Sequence, residues 1–210
     1  MFCPLCHSSS TFYHQDKRRQ YFQCGRCELV FVSPEALPTR YQEEQEYRLH
    51  ENHLEDAGYR RFLMRLAMPL LEVLDNRRCL GMDFGCGPAP LLRRILEKSG
   101  HSVNLYDPYF YPDTAPLSLQ YDFISCSEAM EHFHQPAREI ALFDKLLKPG
   151  SWLAIMTKRV LSKEKFKTWH YKNDMTHVSF FSEATFNYIG KTWDYKVQFV
   201  DSDVVLLQKQ

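Results

Sequence analysis

Residues 79–107 constrain the fold more than any other stretch. Cys79-Leu80-Gly81-Met82-Asp83-Phe84 is a short apolar run of the length and composition of a buried strand. Gly85-Cys86-Gly87-Pro88-Ala89 reads as a tight turn, and Pro90 to Lys98 as a helix. Pro90 suits the first helical turn, where its missing N–H and fixed φ cost little. Val103-Asn104-Leu105-Tyr106-Asp107 then reads as a second strand closed by an acid. Strand, glycine turn, helix and strand in this order predict an α/β sheet whose ligand lies beyond the C-terminal strand ends. Glycines let the backbone pass close to that ligand, and the helix start offers unpaired N–H groups. Asp107 stands 22 residues after Gly85, where a ribose-binding acid belongs.

A dinucleotide site is the first alternative for such a turn, but the third glycine of that fingerprint would fall at Pro90. Asp83 also stands where the dinucleotide pattern has an apolar residue. Asp83-x-Gly85-x-Gly87 instead resembles the first motif of class I S-adenosylmethionine-dependent methyltransferases. Tyr121-Asp122-Phe123-Ile124-Ser125-Cys126-Ser127-Glu128-Ala129-Met130-Glu131-His132-Phe133 is similar to their fourth strand and the Glu-His segment after it. Leu146-Leu147-Lys148-Pro149-Gly150-Ser151-Trp152 is similar to the turn that leads into their fifth strand. Order and spacing agree over residues 75–160, and the whole chain resembles small bacterial methyltransferases with an N-terminal zinc ribbon.

The resemblance implies a Rossmann-like, seven-stranded, mostly parallel sheet with helices on both faces. Tyr195 to Val200 and Val204 to Gln208 read as the antiparallel pair that closes it. It implies S-adenosylmethionine as cofactor, with Gly85, Cys86 and Gly87 in the turn beside its methionine part and Asp83 beneath. Asp107 would hold the ribose hydroxyls through two charge-assisted hydrogen bonds. Ser125, Cys126 and Glu128 would line the methionyl end. The chain departs from the family pattern in two places. Ala89 replaces the last glycine of the turn, and only thirteen residues separate Asp107 from Tyr121. The usual third strand and its adenine-contacting acid fall in that short segment, where Asp113 lies between Pro112 and Pro116. Pro108 and Tyr109 are placed to pack on the adenine face.

Ahead of this region lie two CxxC pairs, Cys3/Cys6 and Cys24/Cys27, separated by seventeen residues. That spacing is a zinc-ribbon spacing, and four thiolates fill a tetrahedral site with no open position, so a structural zinc is expected. Gly25 is expected to supply positive φ in the second turn. Thr11-Phe12-Tyr13 and Gln20-Tyr21-Phe22 read as hairpin arms with Asp16-Lys17-Arg18-Arg19 near the tip. With zinc bound, the formal charge of residues 1–33 is zero, which leaves no phosphate-binding footprint. The chain thus divides into a ribbon (1–33), a helical connector (34–75) and a methyltransferase domain (76–210). In the connector, 41–53 is polar, and Tyr59, Phe62, Leu63, Leu66, Leu70 and Leu74 recur at helical spacing, with a kink or restart expected at Pro69.

The segment after the fifth strand is expected to face the acceptor. Between Thr157 and Lys172 six bases oppose one acid, with Phe166, Trp169, His170 and Tyr171 interleaved. This fits an anionic or aromatic small molecule, or equally a solvated face over core aromatics. His177 is the candidate general base for an acceptor proton, His132 its competitor, and Tyr171 the third candidate. Lys plus Arg equals Asp plus Glu at 26 each, so no global field favours nucleic acid, although an rRNA or tRNA methyltransferase is the nearest rival. A binding protein on a degenerate methyltransferase fold is the rival from another class. Seven cysteines, and Cys3, Pro4 and Cys6 so soon after Met1, lead to the expectation of reduced thiols, no secretory leader and a cytoplasmic address.

Overall fold

A computed structural model describes residues 1–49, 53–75 and 77–210. The polar stretch 41–53 and the expected domain start at 76 therefore fall partly outside the described residues, at 50–52 and 76. The elements in chain order are β1 (Ser10–Gln15), β2 (Gln20–Cys24), β3 (Val30–Val32), α1 (Arg40–Arg48), α2 (Ala57–Leu74), β4 (Leu80–Phe84), α3 (Leu91–Lys98) and β5 (Ser102–Tyr106). They continue with β6 (Tyr121–Ser127), α4 (Pro136–Leu146), β7 (Leu147–Met156), α5 (Lys163–Lys167), β8 (Ser179–Phe180), α6 (Glu183–Trp193), β9 (Tyr195–Phe199) and β10 (Val204–Lys209).

The central sheet has the order β5-β4-β6-β7-β10-β9. Its first four strands are parallel, while β10 runs antiparallel to both β7 and β9. Side chains alternate between two apolar layers, as a period of two requires. Phe123, Trp152, Ala154, Val204 and Leu206 meet α2 and α3 on one face. Ile124, Cys126, Leu153, Ile155, Val205 and Leu207 meet α4 and α6 on the other. Helix α2 begins at Asp56, whose carboxylate accepts from the Gly58 and Tyr59 N–H groups. It buries Leu63, Leu66, Leu70 and Leu74 and runs unbroken through Pro69 instead of restarting there. The lost backbone bond at Pro69 is outweighed by that continuous apolar stripe.

Among the described residues the sheet has six strands, not seven. The missing strand belongs at the β5 edge, where the chain must pass from Asp107 to Tyr121. Pro108, Pro112 and Pro116 withhold three ladder donors over this distance. The segment forms a bridge between Asp107 and Tyr111 and a single 3-10 turn at Ala115–Ser118, then enters β6.

The N-terminal residues form a second, antiparallel sheet of order β1-β2-β3-β8. Asp16 shapes the hairpin tip by accepting from the Arg18 and Arg19 N–H groups at 2.8 and 2.9 Å. Its last strand comes from far downstream, with Val30 opposite Phe180 and Phe31 opposite Ser179. Cys3, Leu5, Leu29 and Phe31 share one apolar cluster with Phe84, Phe181 and Phe186 of the main body. Among the described residues, no helix is long and apolar enough to cross a membrane.

Candidate active site

One cavity of about 1110 Å³ opens at the C-terminal ends of β4, β5 and β6. Asp83, Gly85, Cys86, Gly87, Asp107 and Pro108 border it on one side, and Glu128, Glu131, His132 and His177 on the other. Tyr47 of α1 and Tyr59, Phe62 and Leu63 of α2 border it from above the strand ends.

The glycine turn is held from both sides. Gly85 has φ +70° and donates to the Tyr106 carbonyl at 2.8 Å. A Cβ at Gly85 would stand 2.5 Å from that of Ala129, so only glycine fits. Gly87 has φ +62° and donates to Asp107 Oδ2 at 3.0 Å. The other oxygen of Asp107 accepts from the Tyr109 and Phe110 N–H groups at 2.8 and 3.0 Å. Asp107 therefore ties the turn after β4 to the turn after β5 and keeps its carboxylate at the cavity wall. Asp83 is buried and accepts from Ser125 Oγ at 2.9 Å. Burial pushes its carboxyl up to about 7, against the bond from Ser125.

Ser125 and Cys126 do not border the cavity, contrary to the expectation that they line its methionyl end. Both are wholly buried. Ser125 points beneath the turn to Asp83, and Cys126, on the opposite face by alternation, joins the apolar layer under α4. Ser127 and Glu128 reach the cavity instead. Glu128 has φ +48°, an uncommon backbone for a side chain of its size, fixed by its N–H donating to the Met156 carbonyl at 2.7 Å. Burial, then the neighbouring Glu131, raises its carboxyl to about 8.

Glu131 follows on a short 3-10 turn, Met130–His132, with no exposed surface. Its oxygens accept from the Tyr171 hydroxyl at 2.6 Å and the Thr157 hydroxyl at 2.9 Å. Tyr171 is thus a buried phenol that donates to Glu131, and burial holds its hydroxyl well above the usual range. His132 Nδ1 lies 3.1 Å from the Thr176 carbonyl, and His177 Nδ1 lies 2.7 Å from that of Tyr171. The two imidazoles are 4.8 Å apart between centroids. Burial lowers the pKa of His177, which favours its neutral form.

The segment carrying His177 is held by the N-terminal sheet. Arg19 is 3% exposed, and its guanidinium donates to the carbonyls of Lys172, Asp174, Met175 and His177 at 2.5–2.9 Å. Buried Lys172 pairs with Asp16 at 3.2 Å. Sequence alone leaves Arg19 among the charges of a hairpin tip; only the fold brings residues 172–177 over it. A second clamp joins α1 to the cavity edge, where Glu43 accepts from Tyr109 Oη at 2.5 Å and meets His134 Nε2 at 2.8 Å.

The four N-terminal cysteines bring their sulfurs within 4.8 Å of one another. The Leu5 N–H donates to Cys3 Sγ at 3.4 Å, and the Arg26 N–H to Cys24 Sγ at 3.3 Å. Both turns end the same way, with His7 after Cys6 at φ +56° and Glu28 after Cys27 at φ +57°. Gly25, expected to take positive φ, does not; the left-handed residue of each turn comes just after its second cysteine.

The fold agrees with comparisons to known proteins. A family model described as a methyltransferase domain matches residues 51–198. No curated protein matches the chain. Among solved structures, it is similar to an O-methyltransferase family protein from Burkholderia thailandensis, at 16% identity and a TM-score of 0.57, over 84% of this chain and 65% of that one. It is also similar to 1,6-didemethyltoxoflavin-N1-methyltransferase of the same organism, solved with 1,6-didemethyltoxoflavin and S-adenosylhomocysteine bound. That likeness has 16% identity and a TM-score of 0.57, over 95% of this chain and 99% of that one. Human N-acetylserotonin methyltransferase, solved with S-adenosylmethionine, is similar at 12% identity and a TM-score of 0.52, over 81% of this chain and 56% of that one. The chain thus spans 65% and 56% of the first and third of these proteins, and at such identities the likeness is one of fold. The family model takes in well over half of the residues, and on that ground the chain belongs to the methyltransferase domain family.

Proposed function

We propose that this chain methylates a small-molecule acceptor inside the cavity at the strand ends. The observation that carries the reading is that one continuous cavity joins the Gly85–Gly87 turn and Asp107 to Glu131, His132 and His177. A protein of similar fold was solved with 1,6-didemethyltoxoflavin and S-adenosylhomocysteine bound together. None of Lys158, Arg159, Lys163, Lys165, Lys167 and Lys172 borders the cavity. Lys172 is engaged with Asp16, Lys167 with Glu164 and Arg159 with Glu183, so the basic segment gives little support to a nucleic-acid or anionic acceptor.

When bound, S-adenosylmethionine supplies an electrophilic methyl on its sulfonium. The chain's part is to bind, align and exclude water. In this reading Gly85, Cys86 and Gly87 border the methionine part, Asp107 takes the ribose hydroxyls, and Pro108 and Tyr109 flank the adenine. Glu128 faces the methionyl end. His132 and His177 stand at the acceptor end of the cavity, and Tyr171 braces Glu131 beside them. The four cysteines hold one structural zinc, and the resulting ribbon fixes residues 172–180 through Arg19 and the β3–β8 pairing.

Asp107→Ala is expected to weaken S-adenosylhomocysteine binding by about 1.5–3 kcal/mol, the worth of hydrogen bonds to a charged group. Calorimetry measures it directly. Unchanged affinity would remove Asp107 from the ribose site, and tight NADH binding by the wild type would overturn the reading.

A further inference from the structure

We propose that Glu131, His132 and His177 bind one divalent first-row transition cation at the acceptor end of the cavity, with Glu128 as the balancing carboxylate and an acceptor oxygen as a further ligand. The acceptor's part in this rests on the methyl-transfer reading; the cation site stands on the side chains themselves.

The ligand atoms of these three residues lie within 4.8 Å of one another. Their orientation is that of ligands. Each imidazole sets Nδ1 against a backbone carbonyl, that of Thr176 for His132 and that of Tyr171 for His177. A carbonyl only accepts, so Nδ1 carries the hydrogen in both rings and the lone pair sits on Nε2. A carbonyl behind the ring is the usual outer partner of a metal-bound histidine, fixing its tautomer and raising its basicity. Glu131 is braced in the same way by Thr157 and Tyr171, and each of its oxygens keeps a second lone pair.

Glu128 supplies the independent observation. Its Oε1 is enclosed and accepts no hydrogen bond from the described residues. Its Oε2 is 3.4 Å from the Tyr171 hydroxyl, whose single hydrogen goes to Glu131 at 2.6 Å. The carboxyl groups of buried Glu131 and cavity-lining Glu128 therefore meet around one phenol, and the Asp174 carboxylate lies 3.7 Å from His177 Nε2. Lys158, whose charge acts on Glu128, sits outside the cavity lining, over the Tyr171 ring and 3.0 Å from His170 Nε2. A buried acceptor without a donor is costly. A dication facing Glu128 and Glu131 would remove that cost. Two imidazoles and a carboxylate suit manganese, iron, cobalt or zinc better than magnesium or calcium, and they leave coordination positions for an acceptor oxygen. The four-cysteine site has the opposite preference, for soft-ligand metals such as zinc, so manganese distinguishes the two.

The test is a titration of the full chain, as purified, with Mn²⁺, followed through the paramagnetic resonance of the free ion. S-adenosylhomocysteine binding is measured by calorimetry on the same samples. The expected result is one Mn²⁺ per chain, with affinity lowered at least about 10-fold in His177→Ala and in Glu131→Gln. Glu128→Gln, outside the three ligands, is expected to weaken Mn²⁺ binding while leaving the fold intact, and serves if the other variants do not fold. No uptake by the wild type at millimolar Mn²⁺, or equal uptake by the wild type and every folded variant, overturns the proposal. Loss of S-adenosylhomocysteine binding in the wild type overturns the methyl-transfer reading instead, so the two failures are separable.

Discussion

His177→Ala is expected to lower kcat by roughly 10²–10⁴-fold while leaving S-adenosylhomocysteine affinity nearly unchanged. The asymmetry follows from position. His177 borders the same cavity as the glycine turn but lies across it, beside His132 and Glu131. Removing its ring takes away the group proposed to face the acceptor and spares the Gly87–Asp107 link. Initial rates of label incorporation from labelled S-adenosylmethionine, paired with calorimetry, separate the two effects. A kcat within a few-fold of the wild type would exclude His177 from the acceptor site and make His132 the next residue to replace.

The second large effect is on folding. Purified protein is expected to carry one zinc per chain, and Cys24→Ser to abolish it. In a module with so little core of its own, metal binding supplies folding free energy on the order of 10 kcal/mol. Here the loss should spread. The N-terminal sheet ends in β8, and Arg19 holds four carbonyls between Lys172 and His177. Removing the metal should therefore lower activity as well as the melting temperature, although the cysteines lie outside the cavity lining. Elemental analysis and thermal melts of both proteins decide this. A zinc-free wild type that stays folded and active would refute a structural metal.

What was legible in the sequence was what local chemistry determines. The Cys79–Phe84 run, the glycine turn and the acid at Asp107 specify a strand, a tight turn and a strand end without long-range help. The two CxxC pairs converge because their spacing and flanking hairpin arms allow little else. Illegible features depend on partners distant in the chain. Arg19 reads as one more charge at a hairpin tip until residues 172–177 cover it. Two-residue β8 has no strand signal and exists through its pairing with Val30 and Phe31. Ser125 and Cys126 were sound as members of the fourth-strand motif, but strand alternation sends one to Asp83 and the other into the apolar layer. The shortened edge was visible as three prolines in thirteen residues, yet the family pattern argued for a strand there, and backbone donors decided against it.

Methyl transfer in the cavity to a small molecule leaves a labelled product that can be followed. Wild-type protein incubated with methyl-labelled S-adenosylmethionine and a fractionated cell extract tests it most directly. Label is expected to enter a low-molecular-weight fraction, at a rate that falls in both Asp107→Ala and His177→Ala. Label confined to RNA, or no transfer despite tight S-adenosylhomocysteine binding, would contradict it.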